Sequence, residues 1–208
     1  PDQIYKNLMS DKKLIHPIEI YYYDEENEYE RLNELIKSIY YSNKDDEIMI
    51  LARRTKDIDS LEKSEYFEAG KDDRIICKEV PLAKITLLTI HRSKGLGADQ
   101  VIVLNLSNTN FPLKYEKEYW ITKALRPSNN EKYPFAEERR LFYVAMTRTK
   151  NRVYFIAPEQ NPSEFLLEIK RDYKSVVLKG KWNEKEIKQN STRKTCPICG
   201  YPLQFRYK

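Results

Sequence analysis

The chain has 208 residues, 40% hydrophobic and 33% charged, which gives room for one sizeable domain plus a small appendage and describes a globular chain with a heavily charged surface. No apolar run approaches the length of a bilayer span, and the Pro1–Ile4 start lacks a basic segment leading into an apolar one, so neither a membrane nor a secreted class is expected and the setting is read as cytoplasmic. The net charge of +5 comes from Lys181–Lys208, with seven basic and two acidic residues against 30 and 30 in residues 1–180; such a tail is compatible with a nucleic-acid partner, but charge alone favours a solvated linker.

Residues 1–17 read as a lead-in. Ile18–Tyr23 (IEIYYY) is rich in β-formers and predicts a strand, and Glu28–Tyr41 follows with Tyr29, Leu32, Leu35, Ile36 and Ile39 at helical spacing. Ile48–Ala52 (IMILA) is a short apolar run of the kind found in strands buried on both faces. Asp57–Phe67 predicts a weaker helix and Arg74–Cys77 a short strand. Ile85–Ile90 (ITLLTI) and Val101–Leu106 (VIVLNL) are the clearest strands, being nearly continuous in apolar and β-branched residues. Ser107–Pro134 reads as an irregular connection. Glu137–Lys150 predicts a helix, with Glu137 and Glu138 suited to its N-terminal end and Arg148 and Lys150 to its C-terminal end. Arg152–Ile156 predicts a strand and Pro162–Lys170 a helix. Alternating strands and helices with apolar central strands make an α/β fold with a mostly parallel sheet flanked by helices. Residues 18–179 therefore form the domain, 180–195 a basic linker and 196–208 a separate cysteine-bearing segment.

Two stretches carry chemistry. Thr89–Leu96 (TIHRSKGL) begins at the carboxyl end of a buried strand, the edge where open α/β sheets place ligands. Gly95 permits a tight turn there, and Thr89, His91, Arg92, Ser93 and Lys94 can donate to phosphate oxygens. An ordinary strand-to-helix loop with solvated charges has the same composition. In Glu137–Lys150 (EERRLFYVAMTRTK), Leu141, Val144 and Ala145 share a helical face that Arg148 continues. A cation ending an apolar stripe needs a partner: either the helix's own last carbonyls or a phosphate, which a guanidinium fork fits.

At this point a family resemblance becomes visible. TIHRSKGLGADQVIVL resembles motif V of the UvrD/Rep superfamily 1 DNA helicases (T-h-H-x-x-K-G-L-E-x-D-x-V), and EERRLFYVAMTRTKNRVYF resembles motif VI (E-E-x-R-L-x-Y-V-x-x-T-R-A). IMILARRTKDID looks like the segment that precedes motif V, and NPSEFLLEI like the P-S-x-F-L-x-E-I that closes the domain. The resemblance covers roughly Ile18 to Ile169, and YPFAEERR leans toward the helicase IV branch.

The resemblance implies a RecA-like fold, P-loop NTPase-like but without its own P-loop, acting as the second motor domain of an ATP-dependent 3′–5′ DNA helicase. In that arrangement ATP with Mg²⁺ lies between this domain and an N-terminal RecA-like domain, and single-stranded or partly duplex DNA crosses both. Arg148 would be the arginine finger, stabilising charge on the transferring phosphoryl group. Gly95 and Gly97 would border the nucleotide, Thr89, His91 and Lys94 would face DNA, and Glu138, Tyr143 and Thr147 would support the Arg148 geometry. No G-x-x-x-x-G-K-[ST] occurs in the sequence, so the P-loop is expected before Pro1 and the fragment is expected to be inactive alone.

The chain departs from the resemblance in two places. Gly97 replaces the usual Glu or Gln, removing an expected contact to the nucleotide sugar. The interval from Ser60 to Thr86 is too short for the accessory domain that larger relatives insert there. Beyond the linker, Cys196 and Cys199 form a C-x-x-C pair resembling the first half of a topoisomerase-type zinc ribbon, two ligands of the four that a structural Zn²⁺ needs. Cys77, the third cysteine, reads as a small buried hydrophobe. A non-catalytic nucleic-acid-binding or docking module with a degenerate RecA-like fold is the alternative function.

Overall fold

A computed structural model describes residues 14, 16–24, 27–113 and 135–180 of the chain. The elements, in order, are β1 (Ile18–Tyr23), α1 (Glu28–Ser42), β2 (Glu47–Ala52), α2 (Thr55–Glu62), β3 (Phe67–Ala69), β4 (Ile75–Cys77), β5 (Lys84–Thr89), β6 (Ala98–Val103), α3 (Ala136–Met146), β7 (Thr149–Pro158), α4 (Glu164–Asp172) and β8 (Val177–Lys179). Six strands form one sheet in the order β5-β2-β6-β7-β1-β8, and every neighbouring pair in it is parallel. β3 and β4 make a separate antiparallel hairpin.

A wholly parallel sheet must be covered on both faces, and the buried residues divide accordingly. Leu141, Phe142 and Ala145 of α3 and Phe165, Leu166 and Ile169 of α4 pack on one face, against Met49, Val101, Val103, Val153 and Phe155. Leu32, Leu35, Ile36 and Ile39 of α1, Leu61 of α2 and Phe67, Ile75 and Cys77 of the hairpin pack on the other, against Ile48, Ile50, Ile102 and Ile156. The alternation of one strand residue to each face explains why β2 and β6 read as continuous apolar runs rather than amphipathic ones. Phe111, Phe142, Phe155 and Phe165 form an aromatic group with ring centroids 5.3–5.7 Å apart, tying α3, α4 and the segment after β6 to the sheet.

The strands and helices predicted from the sequence are present, with shifted ends. α2 begins two residues earlier than predicted and stops at Glu62. Its first turn is fixed by Asp57, whose Oδ2 accepts the Arg54 amide N–H at 3.1 Å. The remainder of the Asp57–Phe67 prediction supplies the turn into β3. α3 stops at Met146, and Thr149 and Lys150 belong to β7: the β-branched Thr149 pairs with Ala98 and donates its hydroxyl to the Asp99 and Arg152 carbonyls at 3.1 and 2.7 Å. β6 starts at Ala98 and ends at Val103, short of Leu106, and Asn105 adopts a left-handed φ of 49°. α4 starts at Glu164 because Ser163, fully buried, caps it by accepting the Phe165 N–H at 3.3 Å. Cys77 is fully buried, with its thiol donating to Asn33 Oδ1 at 3.1 Å. The basic linker beyond Gly180, the Cys196–Cys199 pair and most of the Ser107–Pro134 connection lie outside the described residues.

Candidate functional site

The loop from Thr89 to Gly97 leaves β5 at the carboxyl edge of the sheet and enters β6 at the amino edge. Because β5 and β6 are both parallel to β2, which lies between them, the loop must run back along the sheet. That path is roughly 17 Å, the length of a six-residue strand. Its backbone closes on itself: the Ile90 N–H donates to Ala52 O at 3.0 Å, the Arg92 and Ser93 N–H groups to Thr89 O at 3.0 and 3.2 Å, and Leu96 N–H to Ser93 O at 3.0 Å. Ile90 and Ser93 are fully buried, and the Ser93 hydroxyl donates to Ile90 O at 2.8 Å. Ser93 therefore anchors the loop and is spent as a ligand donor. Thr89 is half-buried, with its Oγ1 accepting the Arg92 N–H at 3.4 Å, while His91, Arg92 and Lys94 are exposed. Gly95 has φ +84° with nothing within 4 Å of a Cβ built on it, so glycine is required by conformation and not by crowding.

Beneath His91 lies a buried ion pair. Arg53, the first residue after β2, donates Nε to Glu138 Oε2 at 2.9 Å and Nη2 to Oε1 at 2.6 Å, and the two side chains are only 9% and 5% exposed. Glu138 Oε2 also accepts the Leu113 N–H at 3.2 Å, and the Arg53 guanidinium lies 5.9 Å from the Phe111 ring centre. Desolvation lowers the His91 pKa below its ordinary 6.5, and the positive charges of Arg53 and Lys94 push it the same way against the smaller pull of Glu138. The imidazole is thus predominantly neutral at pH 7, able to donate one hydrogen bond without carrying charge.

At the opposite edge stands Arg148, two residues past the end of α3. Its Nε donates to Val144 O at 3.1 Å, Nη1 to Leu96 O at 3.0 Å and Nη2 to Thr147 Oγ1 at 3.1 Å. All three acceptors are neutral oxygens. The Arg148 carbonyl accepts the Ala98 N–H at 3.0 Å, and a Cβ on Gly97 would meet only that carbonyl, at 3.4 Å. A Cβ at Gly97 would therefore make only an ordinary van der Waals contact. A cavity of about 160 Å³ opens beside Gly97, lined in part by Glu47, Arg74, Lys84 and Thr86. Thr147 supports Arg148 directly, through the hydroxyl that accepts Nη2. Tyr143 meets this group through its backbone, its carbonyl accepting the Thr147 N–H at 3.0 Å, and its ring is 57% exposed.

The structure thus divides the residues singled out from the sequence into two groups. Thr89, His91 and Lys94 lie on the loop leaving the carboxyl edge, with His91 near Lys94 and Glu138. Gly97, Thr147 and Arg148 gather at the amino edge, and Gly95 lies on the stretch that joins them. One helix links both groups, since Glu138 occupies the first turn of α3 and Arg148 follows its last. Arg53 is the site residue that the sequence reading missed; its signal was a cation placed directly after a fully buried strand, which must find a buried partner. A second polar knot lies at the same edge. Glu28 accepts the Asn105 N–H at 2.8 Å, and Asp57 binds the Asn105 and Asn110 side-chain amides at 3.1 and 3.3 Å. Burial, reinforced by the nearby Asp57, raises the Glu28 pKa to about 7 despite that amide bond.

Residues 66–160 match the family described as the UvrD-like helicase C-terminal domain. The chain is 43% identical over 88 residues to DNA helicase IV of Escherichia coli, covering 41% of this chain and 13% of that protein. It is 31% identical over 154 residues to the ATP-dependent DNA helicase PcrA of Bacillus subtilis, covering 69% and 17%. The chain therefore spans less than a fifth of the length of either relative. In fold it resembles the C-terminal domain of a possible DNA helicase from Lactobacillus plantarum WCFS1, with a TM-score of 0.53 at 16% identity over 79% of this chain and 85% of the other. With the match running through both motif V and motif VI, residues 66–160 of the chain are similar to the UvrD-like helicase C-terminal domain.

Proposed function

We propose that this chain is the second RecA-like motor domain of an ATP-dependent DNA helicase, moving 3′ to 5′ as its resemblance implies. The observation that carries the reading is the path of the Thr89–Gly97 loop. It presents His91 and Lys94 at one sheet edge and delivers Leu96 and Gly97 to Arg148 at the other. A strand of DNA bound at the first edge and a nucleotide bound at the second would then share one continuous, internally hydrogen-bonded segment.

Arg148 suits an anionic ligand. Its guanidinium is held in place by neutral acceptors that a phosphate oxygen can outcompete, because an anionic acceptor adds a Coulomb attraction that a carbonyl or hydroxyl oxygen lacks. ATP and Mg²⁺ would lie between this domain and the N-terminal RecA-like domain of the same protein, which would supply the phosphate cradle. Arg148 would donate to the γ-phosphate, with Thr147 and the Leu96 carbonyl fixing its approach; Gly95 and Gly97 would border the nucleotide. Thr89, His91 and Lys94 would donate to the DNA backbone, and Glu138 would hold α3 in register through Arg53. Tyr143 would face the ATP cleft from the exposed side of α3. Cys196 and Cys199 would supply two thiolates to a Zn²⁺ site, a proposal resting on their C-x-x-C spacing.

Steady-state ATP turnover of the intact protein, with and without single-stranded DNA, tests the reading. Turnover stimulated by DNA is expected, and the same stimulation is expected to be lost when His91 and Lys94 are both replaced by alanine. Turnover indifferent to DNA would sink the proposal.

A further inference from the structure

The hairpin of β3 and β4 occupies the interval between α2 and β5, and its tip reaches the loop proposed above to carry DNA. Asp72 and Asp73 at that tip adopt left-handed φ values of 53° and 62°. The turn is closed by the Gly70 N–H donating to Arg74 O at 2.8 Å, and a Cβ at Gly70 would come within 2.9 Å of that same oxygen. The tip is fixed to the sheet as well: Arg74 bridges Thr86, and the Asp73 carbonyl accepts the Leu87 N–H at 2.8 Å. From this fixed position Asp73 holds Arg92 in a two-bond fork, Nη1 to Oδ1 at 2.9 Å and Nη2 to Oδ2 at 2.7 Å.

Arg92 lies between His91 and Lys94 on the loop, at a position where the motif V pattern specifies no residue type. The loop does not need the ion pair for its shape, because backbone bonds and the buried Ser93 already close it. The Arg92 side chain is 60% exposed and the Asp73 side chain 36%, and exposed pairs of this kind are weak and salt-screened. Two of the five guanidinium N–H donors are engaged by Asp73, which leaves three for another acceptor.

We propose that Arg92 is a further DNA-phosphate contact on this loop, and that Asp73 holds its guanidinium until a backbone phosphate of single-stranded DNA takes the carboxylate's place. The inference rests on the reading of the loop as a DNA-binding element. The hairpin then acts as a counter-charge that weakens DNA binding, because each binding event must displace the carboxylate from Arg92.

The test measures binding of a fluorescein-labelled oligodeoxythymidylate to the intact protein across a salt series. Arg92→Gln is expected to weaken binding several-fold and to lower the slope of log affinity against log salt by about 0.7, one single-strand phosphate contact. Asp73→Asn, which retains a residue tolerant of positive φ, is expected to tighten binding several-fold without changing that slope. In the Arg92→Gln background the tightening should vanish, as a direct coupling requires. Asp72→Asn removes the same charge from the same turn and should change affinity less than Asp73→Asn does. If Arg92→Gln leaves affinity and slope unaltered while Lys94→Gln weakens binding, Arg92 is no contact and the inference falls while the reading of the loop stands. If Asp73→Asn tightens binding equally with and without Arg92, the effect is general charge and the inference falls. If Lys94→Gln and Arg92→Gln are both silent, the reading of the loop falls and this inference with it. Thermal unfolding of each variant confirms that the fold is retained.

Discussion

Arg148→Ala in the intact protein is expected to lower DNA-stimulated ATP turnover by roughly 10³- to 10⁵-fold, the range over which arginine fingers act on phosphoryl transfer. The loss should fall on kcat much more than on KM, since a charge that develops in the transition state is what the guanidinium meets. The fold should survive. The bonds lost are those to the Val144 and Leu96 carbonyls and the Thr147 hydroxyl, at partly exposed sites where water can replace them, so each is worth about 1 kcal/mol or less. Arg148→Lys keeps the charge but lacks the fork that holds three acceptors at once, and should recover only a small part of the rate. Rapid-quench single-turnover measurement separates the chemical step from nucleotide binding. An Arg148→Ala protein that keeps its chemical rate would remove Arg148 from the proposed site.

Glu138→Ala is expected to destabilise the domain by about 3–5 kcal/mol, because it leaves the Arg53 guanidinium buried without its carboxylate. For a domain of this size that corresponds to a fall in Tm of roughly 6–20 °C, readable by differential scanning calorimetry. The loss also strands the Leu113 N–H, which shares Glu138 Oε2. Replacing both partners with apolar residues of similar volume, Arg53→Met with Glu138→Leu, should restore most of the stability, since buried pairs gain little over good packing. The proposed role predicts more than stability. The double variant should fold yet show weaker coupling between DNA and ATP turnover, because His91 would lose the charged pair beneath it and α3 its fixed register to β2. A Glu138→Ala domain melting at the wild-type temperature would contradict the buried pair itself.

The α/β class and the order of its main elements are legible in the sequence for a simple reason. A parallel sheet covered on both faces needs strands without polar alternation, and ITLLTI, IMILA and VIVL are such strands. What the sequence hid was local. The hairpin strand Phe67–Ala69 and the edge strand Val177–Lys179 are three residues each, too short for a period-2 pattern to register. The helix that precedes Arg148 ends four residues before Lys150 because Thr149 and Lys150 join β7, a tertiary pairing that overrides a helical pattern. The candidate site was legible as residue types and spacing, since motifs V and VI announce themselves. Its division between two sheet edges was not, because that follows from β2 lying between β5 and β6. Nor was the role of Arg53, whose partner lies 85 positions away, or the removal of Ser93 from the donor set by burial.

The proposed joining of a DNA edge to a nucleotide edge by one loop can be read by hydrogen–deuterium exchange of the intact protein. Single-stranded DNA alone should slow exchange across residues 89–94, and a non-hydrolysable ATP analogue with Mg²⁺ alone should slow it across residues 95–97 and 147–149. Both ligands together should protect the whole segment. Protection with the two ligands exchanged between these stretches, or no change in either stretch with both ligands bound, would rule out a loop shared between DNA and nucleotide.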